Sequence, residues 1–164
     1  MSGLPSTTRS LPQLGAVHLA LVEDSFGWTV ATCAPVTVRP SPRVYEIHDA
    51  KDWMELVARY PMDVSNSRRH DWWRCAGAEG RLLIPDYDRT GQDCDAIHLT
   101  VRGYLTTAGA ALPVDAGTTV LAGWNPDETW WLNDCLAVRE PAVTWTRAEH
   151  AELHAWSLSN DGQR

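Results

Sequence analysis

Long apolar runs are missing from this sequence, and none approaches the roughly 20 residues that a membrane-spanning helix needs. The first residues also lack the continuous apolar core of a secretory signal, so neither a membrane span nor a signal peptide is expected. Cysteine pairs are missing as well, because no C-x-x-C occurs among Cys33, Cys75, Cys94 and Cys135. Widely separated cysteines without regular spacing favour free thiols in a reduced, cytoplasmic setting.

Basic residues are in short supply, with 14 Lys and Arg against 21 Asp and Glu and a formal net charge of −7. Binding to a nucleic-acid backbone requires a basic surface, so general nucleic-acid binding is not expected. The one local basic cluster is too small to offset this balance and consists of Arg68, Arg69, His70 and Arg74. We interpret this cluster as part of a long solvated loop over residues 62–80.

Phenylalanine is almost absent, with one residue, whereas tryptophan occurs nine times. Each indole combines a large apolar face with an N–H that needs a partner, so some of these residues are expected at a rim or pocket wall. One hypothesis is a non-catalytic module that binds a protein partner through exposed tryptophans, since aromatic residues are enriched in such contacts. Trp72 and Trp73 either stack on a base or nicotinamide ring or seal the core beneath the loop.

The 164 residues are long enough for one hydrophobic core and predict a single α+β domain. Residues 1–14 are rich in Ser, Thr, Pro and Gly and predict a flexible N-terminal arm, which leaves residues 15–164 as the domain. Alternating or continuous apolar runs predict a twisted sheet, mixed or mainly antiparallel, with strands at residues 17–22, 28–32, 43–47, 96–101, 118–124 and 129–132.

Two helices are predicted. From Asp49 to Tyr60, apolar side chains recur at i, i+3, i+4 and i+7, and Asp49 is a suitable N-cap. The second helix, Thr146 to Leu158, opens with a capping box formed by Thr146 and Glu149.

The second predicted helix carries His150 and His154 at i and i+4, a spacing compatible with two metal ligands. A zinc-protease motif needs Glu directly after the first His, and Ala151 occupies that place. Since no third ligand can be named, a solvated helix face is the favoured interpretation and no metal is predicted.

A candidate site lies where the strands 43–47 and 96–101 meet the turn before residue 129. Its side chains are Arg43, Tyr45, His98, Thr100, Tyr104, Trp124 and Glu128. Strand alternation places His98 and Thr100 on one face, away from Ile97 and Leu99. The near-neutral pKa of a histidine suits proton transfer, and the competing interpretation of His98 is a hydrogen-bonded structural residue.

The order Arg43, Thr100, Glu128 resembles the Arg, Ser/Thr, Glu order of ADP-ribosyltransferases. The resemblance implies a split mixed sheet that holds NAD in a cleft, and the activity of an NAD-dependent transferase or NAD glycohydrolase. Arg43 would then grip the pyrophosphate, Thr100 would order the nicotinamide ribose, and Glu128 would stabilise developing positive charge. Tyr45, Tyr104 and Trp124 would be further contacts to the cofactor.

Two features depart from that family. His98-Leu99-Thr100 replaces the Ser-Thr-Ser triplet, and Pro126 stands where the family has a second acidic or amide residue. The competing interpretation is a surface arginine, a β-forming threonine and an ordinary turn. The Trp-rich segments are also similar to a set of bacterial proteins, a likeness that implies no activity.

Overall fold

The computed structural model describes residues 6–9, 29–148 and 156–159. Helices and strands are intermixed in these residues, so the predicted α+β fold class is confirmed. The described part of the chain divides into two compact units, one of residues 6–9 and 41–134 and the other of residues 29–40, 135–148 and 156–159.

The described elements are short. The helices are α1 Ala50–Arg59, α2 Ser65–Ala76, α3 Tyr87–Asp93 and α4 Val101–Thr107. The strands are β1 Ser6–Arg9, β2 Val30–Cys33, β3 Val36–Val38, β4 Val44–Ile47, β5 Pro61–Asp63, β6 Leu83–Pro85, β7 Ala96–Leu99, β8 Leu112–Val114, β9 Gly117–Thr119, β10 Glu128–Trp131, β11 Leu136–Val138, β12 Val143–Thr146 and β13 Ser157–Leu158.

The first unit contains a four-stranded mixed sheet in the order β1-β10-β7-β4. Strand β4 runs parallel to β7, with Val44 opposite Ala96, whereas β10 runs antiparallel to both β7 and β1. Strand β1 comes from residues within the predicted N-terminal arm. Two-stranded pairs β5-β6 and β8-β9 complete this unit.

Helix α1 forms as its sequence predicts. The Asp49 side chain accepts hydrogen bonds from the backbone N–H groups of Lys51 (2.9 Å) and Asp52 (3.3 Å), which caps the first turn. Its apolar stripe is buried in the main core, together with the inward side chains of β4 and β7: Trp53, Leu56, Val57, Tyr60, Ile47, Ile97 and Leu99. The core therefore lies between α1 and one face of the sheet.

Residues 62–80 are not a loop, because most of them form helix α2. The helix is polar and buries Trp72, so it has almost no apolar periodicity for a sequence pattern to detect. Local contacts fix its ends instead. Asp63 accepts hydrogen bonds from the Ser65 backbone N–H (3.0 Å) and hydroxyl (2.6 Å), and Gly77 ends the helix at φ 63°.

Because the Asp63 carboxylate accepts these hydrogen bonds, the free energy of unfolding is expected to depend on pH. Hydrogen bonds from Ser65 and then from Arg81 lower its pKa from 3.8 to about 2. A depressed pKa in the folded state stabilises the protein above the unfolded-state pKa, and this stabilisation is lost as pH falls through the folded value. The difference in unfolding free energy between the wild type and Asp63→Asn should therefore be constant above about pH 5 and shrink as the pH falls from about 5 towards 2. Urea unfolding across that range measures it, and a difference independent of pH would contradict the assignment.

In the second unit, both described ends of the predicted helix Thr146 to Leu158 are strands, so the predicted helix bounds are wrong. Thr146 ends strand β12 and Ser157–Leu158 forms β13, and the two strands pair antiparallel with Thr146 opposite Ser157. Strand β12 pairs on its other side with β2. Three of the four residues of Val143–Thr146 are β-branched, which favours a strand here over the helix that the capping box predicts. Residues 149–155, including His150 and His154, lie outside the described residues.

Candidate functional site

Arg43 lies at the start of strand β4, where it is tied to the start of β7. Its Nε and Nη2 atoms donate to the two carboxylate oxygens of Asp95 at 3.1 and 2.9 Å, and Nη1 donates to the carbonyl of Gln92 at 3.1 Å. The Arg43 hydrogen bonds hold the pKa of Asp95 well below its usual range. This bidentate pair joins the ends of two parallel strands and occupies the guanidinium.

Thr100 and Glu128 lie at the other end of the same strands. The Thr100 hydroxyl donates to the carbonyl of Ile47 at 3.0 Å and accepts from the Gly103 N–H at 3.0 Å, so this side chain caps helix α4. Glu128 is opposite Leu99 in the antiparallel register. At about 3.3 Å per residue, the four residues of β4 separate Arg43 from this end by roughly 15 Å. The structure therefore brings Thr100 and Glu128 to one end of the sheet and leaves Arg43 at the other.

Glu128 is buried, with 1% of its surface exposed. Its carboxylate accepts a hydrogen bond from the backbone N–H of Asn125 at 2.8 Å. The bond closes the turn between Trp124 and strand β10, in which Asp127 adopts the left-handed conformation at φ 58°. This contact gives Glu128 a structural role in the turn.

His98 lies on the sheet face opposite to Ile97 and Leu99. Its Nδ1 atom is 2.9 Å from the hydroxyl of Thr129, the residue across from it on β10, and its Nε2 atom is 3.7 Å from the Asp127 carboxylate. Both the imidazole and that carboxylate are largely buried. These contacts agree with the hydrogen-bonded structural interpretation of His98.

The two predicted tyrosines pack against the main core. The Tyr45 hydroxyl donates to the Asp52 carbonyl at 2.8 Å, and burial raises its pKa to about 12. Tyr104 is on helix α4, partly buried. Trp124 alone among the predicted site residues lines the pocket of the first unit.

This pocket has a volume of about 630 Å³, which is within the range of small-molecule sites. We call it the tryptophan pocket. Five aromatic side chains line it: Trp53, Trp72, Tyr87, Trp124 and Trp130. Four side chains of α2 also line it: Arg68, Asp71, Arg74 and Cys75. Ile84, Val120, Ala122 and Gly123 make up the rest of the lining.

Stacked rings form one wall of the tryptophan pocket. The ring of Trp130 stacks on Trp124 at 5.1 Å with an interplanar angle of 17°, and on Tyr87 at 6.4 Å with an angle of 24°. Trp53 meets Trp124 edge-on at 6.3 Å. These contacts fix the rings before any ligand arrives.

The indole N–H groups of this wall differ in their partners. Trp53 Nε1 donates to the Thr119 hydroxyl at 3.1 Å, whereas the buried Nε1 of Trp130 has no hydrogen-bond partner among the described residues. A buried donor without an acceptor costs about 1–3 kcal/mol.

Helix α2 forms a second wall. Arg68, Asp71, Trp72 and Cys75 follow the i, i+3, i+4, i+7 spacing of one helix face, with Arg74 at its margin. The Arg68 guanidinium is 4.0 Å from the Asp71 carboxylate. Burial raises the pKa of Tyr87 to about 12, so its phenol is neutral near pH 7. With two arginines against one aspartate, the lining is locally positive in a protein of net charge −7.

The structure separates the two adjacent tryptophans of α2. Trp72 is 5% exposed and packs with Ala78, Leu82 and Val120 while it lines the pocket, and Trp73 is 56% exposed. Trp72 therefore both seals a small core and contributes to the candidate site. The sequence signal was the abundance of tryptophan, and it did not reveal which indoles would share a wall.

Comparison with protein-family models, curated proteins and solved structures finds no match for this chain. Among the described residues, no helix combines the length and the apolar character that crossing a membrane requires. The same residues contain no group of three or more His, Cys, Asp or Glu side chains arranged to hold a metal ion.

Proposed function

We propose that this chain binds a small molecule with a planar aromatic ring in the tryptophan pocket. The wall of Trp124, Trp130 and Tyr87 carries the proposal, because these rings line the cavity and their mutual stacking holds them in place. Aromatic walls with a few placed polar groups are typical of ligand sites. Rigid rings also lose little side-chain entropy on binding.

NAD is the first compound to test, because the resemblance to ADP-ribosyltransferases implies it and because it carries planar rings. The transferase hypothesis assigned roles to Arg43, Thr100 and Glu128. In this geometry Arg43 binds Asp95 at one end of the sheet, and the other two make structural contacts at the opposite end. The observations therefore favour ligand binding in the tryptophan pocket over that catalytic arrangement.

The alternative of a protein-interaction module requires a patch of exposed tryptophans. Among the tryptophans that the structure describes, Trp73 is the exposed one. A single exposed indole is an ordinary surface feature. We therefore place the small-molecule proposal ahead of the interaction module.

Trp130→Phe tests the proposal, since phenylalanine is smaller than the indole and reduces the aromatic surface on the pocket lining. With NAD and AMP as probes, we expect saturable quenching of tryptophan fluorescence in the wild type. Loss of aromatic contact should weaken binding about 2- to 10-fold in the variant. Trp73→Phe is the matched control, because it also removes an indole but from outside the pocket lining, and it should leave affinity unchanged.

Cys75 supplies an independent measurement, because it is exposed and lines the pocket. Saturating probe should slow its alkylation by iodoacetamide, as followed by peptide mass spectrometry. Cys94 is the internal reference, since it is not among the lining residues. Equal alkylation of Cys75 with and without every probe, and no fluorescence response, would refute the proposed function.

A further inference from the structure

Arg74 is a guanidinium on the pocket lining with no hydrogen bond or ion pair to any residue that the structure describes. Two other arginines of this unit bind carboxylates: Arg43 binds Asp95 at 2.9 Å and Arg81 binds Asp63 at 2.8 Å. Arg74 is therefore a cation that the described fold does not use. Its place on the pocket makes it available to a ligand.

Arg68 lies on the same wall and extends this positive region. Arg74 follows it by six positions on α2, a rise of about 9 Å along the helix axis. Its 4.0 Å distance to Asp71 is that of a weak, exposed pair, so a ligand can replace this partner at little cost. Planar guanidinium forks match the oxygens of a phosphate group and can bind it in a bidentate manner.

A cationic ligand fits this lining less well. An aromatic cage for an ammonium group needs ring faces directed at the cation from several sides. Here Trp124 and Trp130 are stacked on each other at 5.1 Å, which leaves no space for a cation between them. The two arginines would also repel a cation, and neutral Tyr87 does not compensate for them.

We propose that the pocket selects a nucleoside phosphate, with the base against the aromatic lining and the phosphate on Arg74 and Arg68. This inference rests on the proposed function and adds the class of ligand. It also assigns Arg74 as the residue that distinguishes a phosphorylated from an unphosphorylated nucleoside.

AMP and adenosine differ only in the phosphate and so test the inference directly. By fluorescence titration, AMP should bind the wild type at least 10-fold more tightly than adenosine, and Arg74→Gln should weaken AMP binding about 10-fold or more. Adenosine affinity should not change in that variant. Arg69→Gln is the matched control, because Arg69 is on the same helix and outside the lining, and it should change neither affinity.

Equal affinity for AMP and adenosine, or AMP binding that Arg74→Gln leaves intact, would overturn the inference while the proposed function stands. Absence of binding by both compounds would overturn it too. In that case the NAD titration of the wild type and Trp130→Phe decides the proposed function separately. Arg74 is exposed and has no partner in the described fold, so Arg74→Gln should have the melting temperature of the wild type. A change in AMP affinity can then be attributed to the lost guanidinium.

Discussion

Replacing Gly103 by alanine is expected to lower the free energy of unfolding by about 1–3 kcal/mol, because helix α4 lies too close to strand β4 to admit a methyl group. A Cβ at this position would overlap the carbonyl of Ile47 and lie 3.2 Å from Leu99 Cδ1. The helix would have to move away. Movement would break the hydrogen bonds that the Thr100 N–H (3.1 Å) and hydroxyl (3.0 Å) donate to the Ile47 carbonyl.

The size of this effect follows from opposed contributions. Overpacking costs about 1–3 kcal/mol and loss of a helix cap about 1 kcal/mol, whereas alanine in place of glycine in a helix returns nearly 1 kcal/mol. Urea unfolding followed by circular dichroism measures the result. If the fold is retained, the native-state fluorescence, to which Tyr104 and Trp53 contribute, should be the same as in the wild type.

Gly91→Ala is the matched control, since Gly91 is also a helical glycine. A Cβ there would be 3.6 Å from Leu132 Cβ, an ordinary contact. The substitution should leave stability unchanged or raise it by up to about 1 kcal/mol. If Gly103→Ala and Gly91→Ala had the same effect, the close approach of α4 to β4 would not be present in solution.

A local sequence pattern predicts a helix or strand when the residues of that element themselves contain its cap and its apolar periodicity. Helix α1 has a cap at Asp49 and an apolar stripe that repeats over its length, so both its existence and its bounds were predictable. Helix α2 lacks that stripe because Trp72 is its buried residue. Tertiary packing of Trp72 and the acceptor at Asp63 specify it instead. The capping box at Thr146 predicted a helix start, and this prediction was wrong. Thr146 instead belongs to a strand that pairs with β2, which is distant in sequence, and a local pattern cannot indicate such pairing.

The candidate site shows the same limit. Strand alternation correctly separated His98 from the core face of β7, but Thr100 belongs to a helix cap rather than to the strand. The partner of Arg43 is Asp95, 52 residues away along the chain. No spacing in the sequence indicates such a pair. The tryptophan pocket is assembled from separate elements, so the number of tryptophans predicted a pocket wall without indicating its members.

Glu128→Ala is expected to destabilise the protein by about 3 kcal/mol, because it removes a buried carboxylate acceptor from the turn that precedes β10. The N–H of Asn125 would lose the acceptor 2.8 Å away, and the side-chain volume would become a cavity. Asp127 holds a left-handed conformation in this turn at φ 58°. Without the Glu128 acceptor, the turn should relax and displace Trp124, so affinity in the tryptophan pocket should fall as well.

Glu128→Gln separates a structural from a catalytic role, since the amide keeps the shape and one acceptor oxygen. If the Glu128 side chain stabilises the turn, Glu128→Gln should lower the free energy of unfolding by about 1 kcal/mol and leave ligand binding nearly intact. Under the transferase hypothesis, Gln would abolish NAD turnover without a change in stability. Glu55→Ala, which removes an exposed carboxylate paired with Lys51 on α1, should cost less than about 0.5 kcal/mol. Removing a buried acceptor should lower the unfolding free energy by more than removing an exposed one. If Glu128→Ala were as stable as Glu55→Ala, the structural role of Glu128 would therefore be excluded.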